Sequence, residues 1–101
     1  MSGGARSPEE LEMLFEDALV VGDIDALRDI FEATAIVVTA TGAELRGRDA
    51  IVDACLEDVI AGSLRVLQSG RTALVLGPRS VSVVRRGADR AWRYAITVRS
   101  A

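Results

Sequence analysis

The chain has no histidine and no lysine, one cysteine, only four aromatic residues and no long apolar run. Each shortage excludes something. Without histidine, and with a single thiol, a transition-metal site lacks its usual nitrogen and sulfur ligands, and the commonest general base near neutral pH is missing. No metal or other cofactor is expected. Cys55 cannot close an internal disulfide, which fits a reducing compartment and makes the cytoplasm the expected location. No stretch approaches the roughly 20 apolar residues that cross a bilayer. The opening MSGGARSPEE carries one Arg and no hydrophobic stretch behind it, so it does not read as a secretory signal.

What is present is aliphatic. Half of the 101 residues are hydrophobic, and with Phe15, Phe31, Trp92 and Tyr94 as the only aromatics the core must be built from Val, Leu, Ile and Ala. A chain of this length buries enough surface for one core without a metal or disulfide staple. The net charge of −3 hides an asymmetry: residues 1–61 carry four Arg against fourteen acids, whereas residues 62–101 carry eight Arg against Asp89 alone. The two halves should attract one another, within one fold or across a dimer.

Residues 1–7 read as a short disordered tail and 8–101 as a single domain. Ser7-Pro8-Glu9-Glu10 has the order of an N-cap, a first-turn proline and a capping-box glutamate. Leu11, Leu14, Phe15, Ala18 and Leu19 follow as one helical stripe, with Glu9, Glu10, Glu12, Glu16 and Asp17 at early or solvated positions, and Gly22 stops the helix. Asp23 caps a second helix whose Ile24, Leu27, Ile30 and Phe31 are expected to face the core. The β-branched run 35–40 predicts a strand, Thr41-Gly42 a turn, and 43–46 a brief return strand. Gly47-Arg48-Asp49 opens a third helix with an apolar stripe at Ile51, Val52, Cys55, Leu56, Val59 and Ile60, ending at Gly62. Strands are expected near 64–68, 72–76, 80–86 and 91–98, separated by Ser69-Gly70, Gly77-Pro78 and 87–90. The last alternates Trp92, Tyr94, Ile96 and Val98 against Arg93, Ala95, Thr97 and Arg99. The expected architecture is α+β, with three N-terminal helices in the hollow of a curved, mostly antiparallel sheet of about six strands.

The segments FEDALVVGD (15–23), IDALRDIF (24–31), AIVVTATG (35–42) and LRGRDAIV (45–52) resemble the opening half of the nuclear transport factor 2-like superfamily. The nearest likeness is to its ketosteroid isomerase-like and SnoaL-like branch. VVRRGADRAWRYAI (83–96) resembles that branch's closing hairpin. The resemblance covers most of residues 8–98. It implies a cone-shaped fold with an apolar pocket for a small ligand, and a homodimer formed through the sheet. Its members include isomerases, cyclases, dehydratases, hydrolases and non-catalytic binding modules, so the fold does not assign an activity.

Carried onto this sequence, the isomerase site fails. The base position falls at Thr39, the oxyanion-hole tyrosine at Phe15 and the second oxyanion donor near Ser82. Thr39 cannot accept a proton as a carboxylate does, and Phe15 offers no hydrogen to an oxyanion. The resemblance therefore implies a ligand-binding domain without steroid-isomerase chemistry. Alternatives are an isomerase- or cyclase-like enzyme using non-standard groups, and a dimerisation or protein-interaction module. Stretch 72–86 is short for the family.

Candidate pocket residues are Phe15, Leu19, Thr39, Cys55, Ser82, Trp92 and Tyr94. Cys55 lies on an apolar stripe and is expected to act as a small buried hydrophobe. Thr39 also suits an ordinary strand, and Trp92 and Tyr94 suit core packing as well as pocket lining. Arg85, Arg86, Arg90, Arg93 and Arg99 gather around the last hairpin, but no stacking aromatics are interleaved and the whole chain is acidic, which argues against a nucleic-acid surface. Asp49, Asp53, Glu57 and Asp58 read as a solvated helix face. No phosphate-cradling glycine pattern occurs.

Overall fold

The computed structural model describes residues 4–55 and 65–99, without the Cys55 side chain. Helix α1 spans Pro8–Val21, α2 Ile24–Asp29 and α3 Arg48–Cys55; the strands are β1 Phe31–Val38, β2 Glu44–Arg46, β3 Arg65–Ser69, β4 Thr72–Leu76, β5 Ser80–Arg86 and β6 Trp92–Arg99. They form one six-stranded sheet in the order β2-β1-β6-β5-β4-β3. All its pairings are antiparallel except β1 with β6, which run parallel. The helices pack against this sheet, mainly on β1, with α3 also touching β2 and α1 touching β6.

The helix ends follow the capping chemistry of the sequence. The Ser7 hydroxyl accepts the Glu10 N–H at 3.1 Å, and Asp23 accepts the Ala26 N–H at 3.1 Å. Glu10 returns the contact one residue earlier than a standard capping box, accepting the Arg6 N–H at 3.3 Å. Gly22 closes α1 in the left-handed region at φ 74°, its N–H bonded to the Ala18 carbonyl.

The inner face of the sheet is read from the registers. One row crosses it as Val66, Val75, Ser82, Thr97, Val37 and Leu45, and the next as Gln68, Ala73, Val84, Tyr94 and Phe31. Leu11, Phe15, Leu27, Ile51 and Val52 close over these rows and complete the core.

Four expectations are corrected. The strand expected over 35–40 starts at Phe31 and ends at Val38, so Phe31 belongs to β1 rather than to the second helix. Ile24, expected in the core, is 37 % exposed at the first turn of α2. Ala5, expected within a disordered tail, is buried and forms a bridge with Trp92, whose N–H it accepts at 2.9 Å. Strand β6 does not keep one alternation. Val84 pairs with Tyr94 and Val83 with Ile96, leaving Ala95 as an extra residue. That bulge reverses the faces, so Trp92, Tyr94 and Thr97 are buried whereas Ile96 and Val98 are 42 % and 47 % exposed on the outside. The expected positions Leu56, Val59, Ile60 and Gly62, together with residue 64, lie outside the described residues.

Candidate functional site

The inner face holds two polar features in an otherwise aliphatic and aromatic setting. The first joins α1 to β6. Phe15, Phe31 and Tyr94 form a ring cluster, with centroids 6.1 Å apart for Phe15–Phe31, 5.7 Å for Phe15–Tyr94 and 5.3 Å for Phe31–Tyr94. Edge and tilted contacts of this kind stabilise by about 0.5–1.5 kcal/mol each beyond their burial. Beside the cluster the Tyr94 hydroxyl donates a short hydrogen bond to Glu12 Oε1. Burial raises the Glu12 pKa, the bond from Tyr94 opposes that rise, and the neighbouring Glu16 charge adds to it. The net result is a carboxyl group that protonates more readily than an ordinary glutamate. Among the described residues its second oxygen has no hydrogen-bond donor.

The second feature lies one row away, about 7 Å along the strands. Ser82 and Thr97 are directly paired across β5 and β6, and their hydroxyls share a hydrogen bond of 2.8 Å. Both are buried. Each satisfies the other, which is what allows two hydroxyls on an inner face.

The candidates from the sequence separate on this framework. Phe15 and Tyr94 meet in the ring cluster, and Ser82 is on the same inner face. Leu19 is half-buried at the edge of the core. Trp92 is 2 % exposed and borders the cleft described below. Thr39 lies just beyond β1, where its hydroxyl accepts the Ala43 N–H at 3.1 Å and shares a 3.0 Å bond with Thr41, closing the β1–β2 turn. The Cys55 side chain lies outside the described residues. Glu12, which the sequence pattern places among solvated acids, is the residue that reading missed. Its signal is weak: it sits one position off the apolar stripe and only tertiary contact with β6 reveals it.

The basic residues of the last hairpin are partly neutralised within the fold. Arg85 Nε donates to Glu32 at 2.9 Å. Arg93 forms a two-pronged contact with Asp89, at 3.0 and 2.8 Å, and its Nε donates to the Asp29 carbonyl at 2.9 Å. The Arg93 bonds and the Ala91 N–H lower the Asp89 pKa to about 2. Among the described residues no three acidic side chains converge as a metal site would require.

A cleft opens on the other flank of α1. It is an open cleft of about 500 Å³ between α1, α2 and the start of β6, with Leu14, Ala18, Ala26, Ile30, Ala91 and Trp92 among its apolar walls. Asp17, Asp23, Asp29 and Asp89 stand around it with Arg93.

The sequence matches no family model and no curated protein. Its fold is matched by solved structures. A ketosteroid isomerase-like protein from Erwinia carotovora atroseptica superposes with a TM-score of 0.72 at 17 % identity, over 91 % of each chain. An NTF2-like protein with a cystatin-like fold from Novosphingobium aromaticivorans gives 0.68 at 20 % identity, over 90 % of this chain and 77 % of that one. An uncharacterised protein with a cystatin-like fold from Caulobacter vibrioides gives 0.74 at 16 % identity, over 91 % and 84 %. The chain thus has the cystatin-like α+β cone fold of the nuclear transport factor 2-like proteins.

Proposed function

We propose that this domain binds a small apolar molecule bearing a carbonyl or similar acceptor, in the manner of a SnoaL-like or ketosteroid isomerase-like module without the steroid-isomerase residues. The observation that carries the reading is the Glu12–Tyr94 pair. A carboxyl group held in an apolar, aromatic setting with a raised pKa is a group prepared to be a neutral hydrogen-bond donor. Tyr94 occupies one carboxyl oxygen and leaves the other for a ligand. Phe15 and Phe31, packed on the Tyr94 ring, make the setting of the pair aromatic. The Ser82–Thr97 pair offers a second polar contact one row further along.

The test is an amide NMR titration with decalone, a bicyclic ketone. Saturable shifts centred on Phe15, Phe31 and Tyr94 support the reading, and their absence at ligand saturation of solubility removes it.

A homodimer through the outer sheet face belongs to the same proposal. Leu67, Leu74, Val83, Ile96 and Ile36 form one apolar row there, and Leu76, Val81, Val98 and Val38 the next. Leu67, Leu74, Val81, Ile96 and Val98 are each 39–47 % exposed, a continuous patch of the kind that marks an interface. A self-complementary pairing covers it in both copies at once. The lone cysteine supports a cytoplasmic setting, and among the described residues no helix is long and apolar enough to cross a membrane.

A further inference from the structure

The cleft behind α1 has a composition that the inner face does not share. Helix α1 divides its surface between the two: Glu12 and Phe15 meet Tyr94, while Leu14, Asp17, Ala18 and Val21 line the cleft. At about 500 Å³ the cleft is within the range of roughly 300–1,000 Å³ that small-molecule sites occupy. Its walls are aliphatic and aromatic, and its charged groups are four carboxylates against one guanidinium. That guanidinium is already neutralised, since Arg93 is held two-pronged by Asp89. Asp23 spends one oxygen on the α2 N-cap. Asp17 and Asp29 have no hydrogen bond or ion pair to their carboxylates among the described residues. Asp29 shares the field of Arg93 with Asp89, so the four carboxylates outweigh the one guanidinium and the cleft keeps a net negative charge.

We infer that this cleft is a second binding site, separate from the cone interior, for a cationic amphiphile: an apolar body with an ammonium group. The apolar body covers Leu14, Val21 and Ala26, the lining side chains that still face water, and the ammonium lies between Asp17 and Asp29. An anion of the same shape meets the same walls but is repelled by the carboxylates, and a neutral analogue gains only the apolar contact.

The experiment compares three probes with one skeleton: 4-phenylbutylamine, 4-phenylbutanol and 4-phenylbutanoate, each titrated by amide NMR and Trp92 fluorescence. The amine is expected to bind saturably, with shifts at Leu14, Ala18 and Trp92, and several-fold more tightly than the alcohol; the carboxylate is expected to be weakest. The double variant Asp17→Asn/Asp29→Asn should weaken the amine by about tenfold, the loss of about 1.4 kcal/mol, while leaving the alcohol unchanged. Added salt should weaken the amine alone. Equal affinity for amine and carboxylate, an unchanged amine affinity in the double variant, or no saturable binding overturns the inference. Shifts confined to Phe15, Phe31 and Tyr94 also overturn it, because they place the probe in the cone. Loss of decalone binding in the cone would leave this result untouched.

Discussion

Tyr94 donates its phenolic proton to Glu12, joining the sixth strand to the first helix across 82 positions of sequence. The bond fixes the inward face of β6 against α1 at the point where three aromatic rings meet. It also leaves a carboxyl group in a setting that favours its neutral form.

The pair has a pH signature in stability. The folded Glu12 pKa lies above its ordinary value of 4.5, so the native state holds this proton more tightly than the unfolded chain. Its contribution is therefore favourable at low pH and is lost as pH rises from about the ordinary glutamate value through the raised one. Glu12→Gln keeps an acceptor for Tyr94 and removes the buried charge. Thermal unfolding across this window should show a falling component in the native protein that is absent from Glu12→Gln. Tyr94→Phe removes the one hydrogen-bond donor the carboxyl has among the described residues and should cost about 1–3 kcal/mol at neutral pH. A flat profile shared by the native protein and Glu12→Gln contradicts this role.

Asp89 acts with the opposite sign. Its pKa is lowered to about 2 by the Arg93 and Ala91 donors, from an ordinary 3.8. That contribution is present above the ordinary value and disappears as pH falls through about 2. Asp89→Asn should remove this step from acid unfolding curves, and unchanged curves below pH 4 would count against the contact. The exposure of Asp89 to water keeps the effect small.

The Ser82–Thr97 pair is best tested as a cycle. Thr97→Val leaves the Ser82 hydroxyl buried without its partner and should destabilise by about 1–3 kcal/mol, whereas Ser82→Ala/Thr97→Val together should cost less than the sum of the singles. Additive losses measured by denaturant unfolding would show that the two hydroxyls do not depend on one another.

The outer sheet face predicts a change of assembly without a change of fold. Ile96→Glu or Val98→Glu places a charge inside the proposed dimer and should give a folded monomer by sedimentation velocity, with the native chain dimeric. A native chain that is monomeric at high concentration contradicts the dimer.

Much of the fold is legible in the amino acids because its signals are local. Ser7, Asp23 and Gly22 announce helix ends through hydrogen bonds to their own neighbours, and the four late strands are bounded by Gly, Pro and Asp. The bulge at Ala95 is not legible. No glycine or proline marks it, and an unbroken alternation from Trp92 to Val98 suggests a single face. Its position emerges only from pairing β6 with β5, where Val83 and Val84 meet Ile96 and Tyr94. The candidate site was half legible for the same reason. Aromatic residues at 15, 31 and 94 stand out by their rarity, whereas Glu12 looks like any solvated helix acid until β6 brings Tyr94 to it. Thr39 shows the reverse, since a hydroxyl that a pattern offers to a ligand is used two and four residues away to close a turn.

The most direct test of the central claim is the pH dependence of decalone affinity, measured by titration calorimetry on the native protein and on Glu12→Gln. If the neutral Glu12 carboxyl donates to the ketone, the native affinity is highest at acid pH and weakens by up to about tenfold for each pH unit above the Glu12 pKa, while Glu12→Gln binds with an affinity that does not vary with pH. An affinity that is independent of pH in the native protein, or that falls equally in Glu12→Gln, contradicts the account.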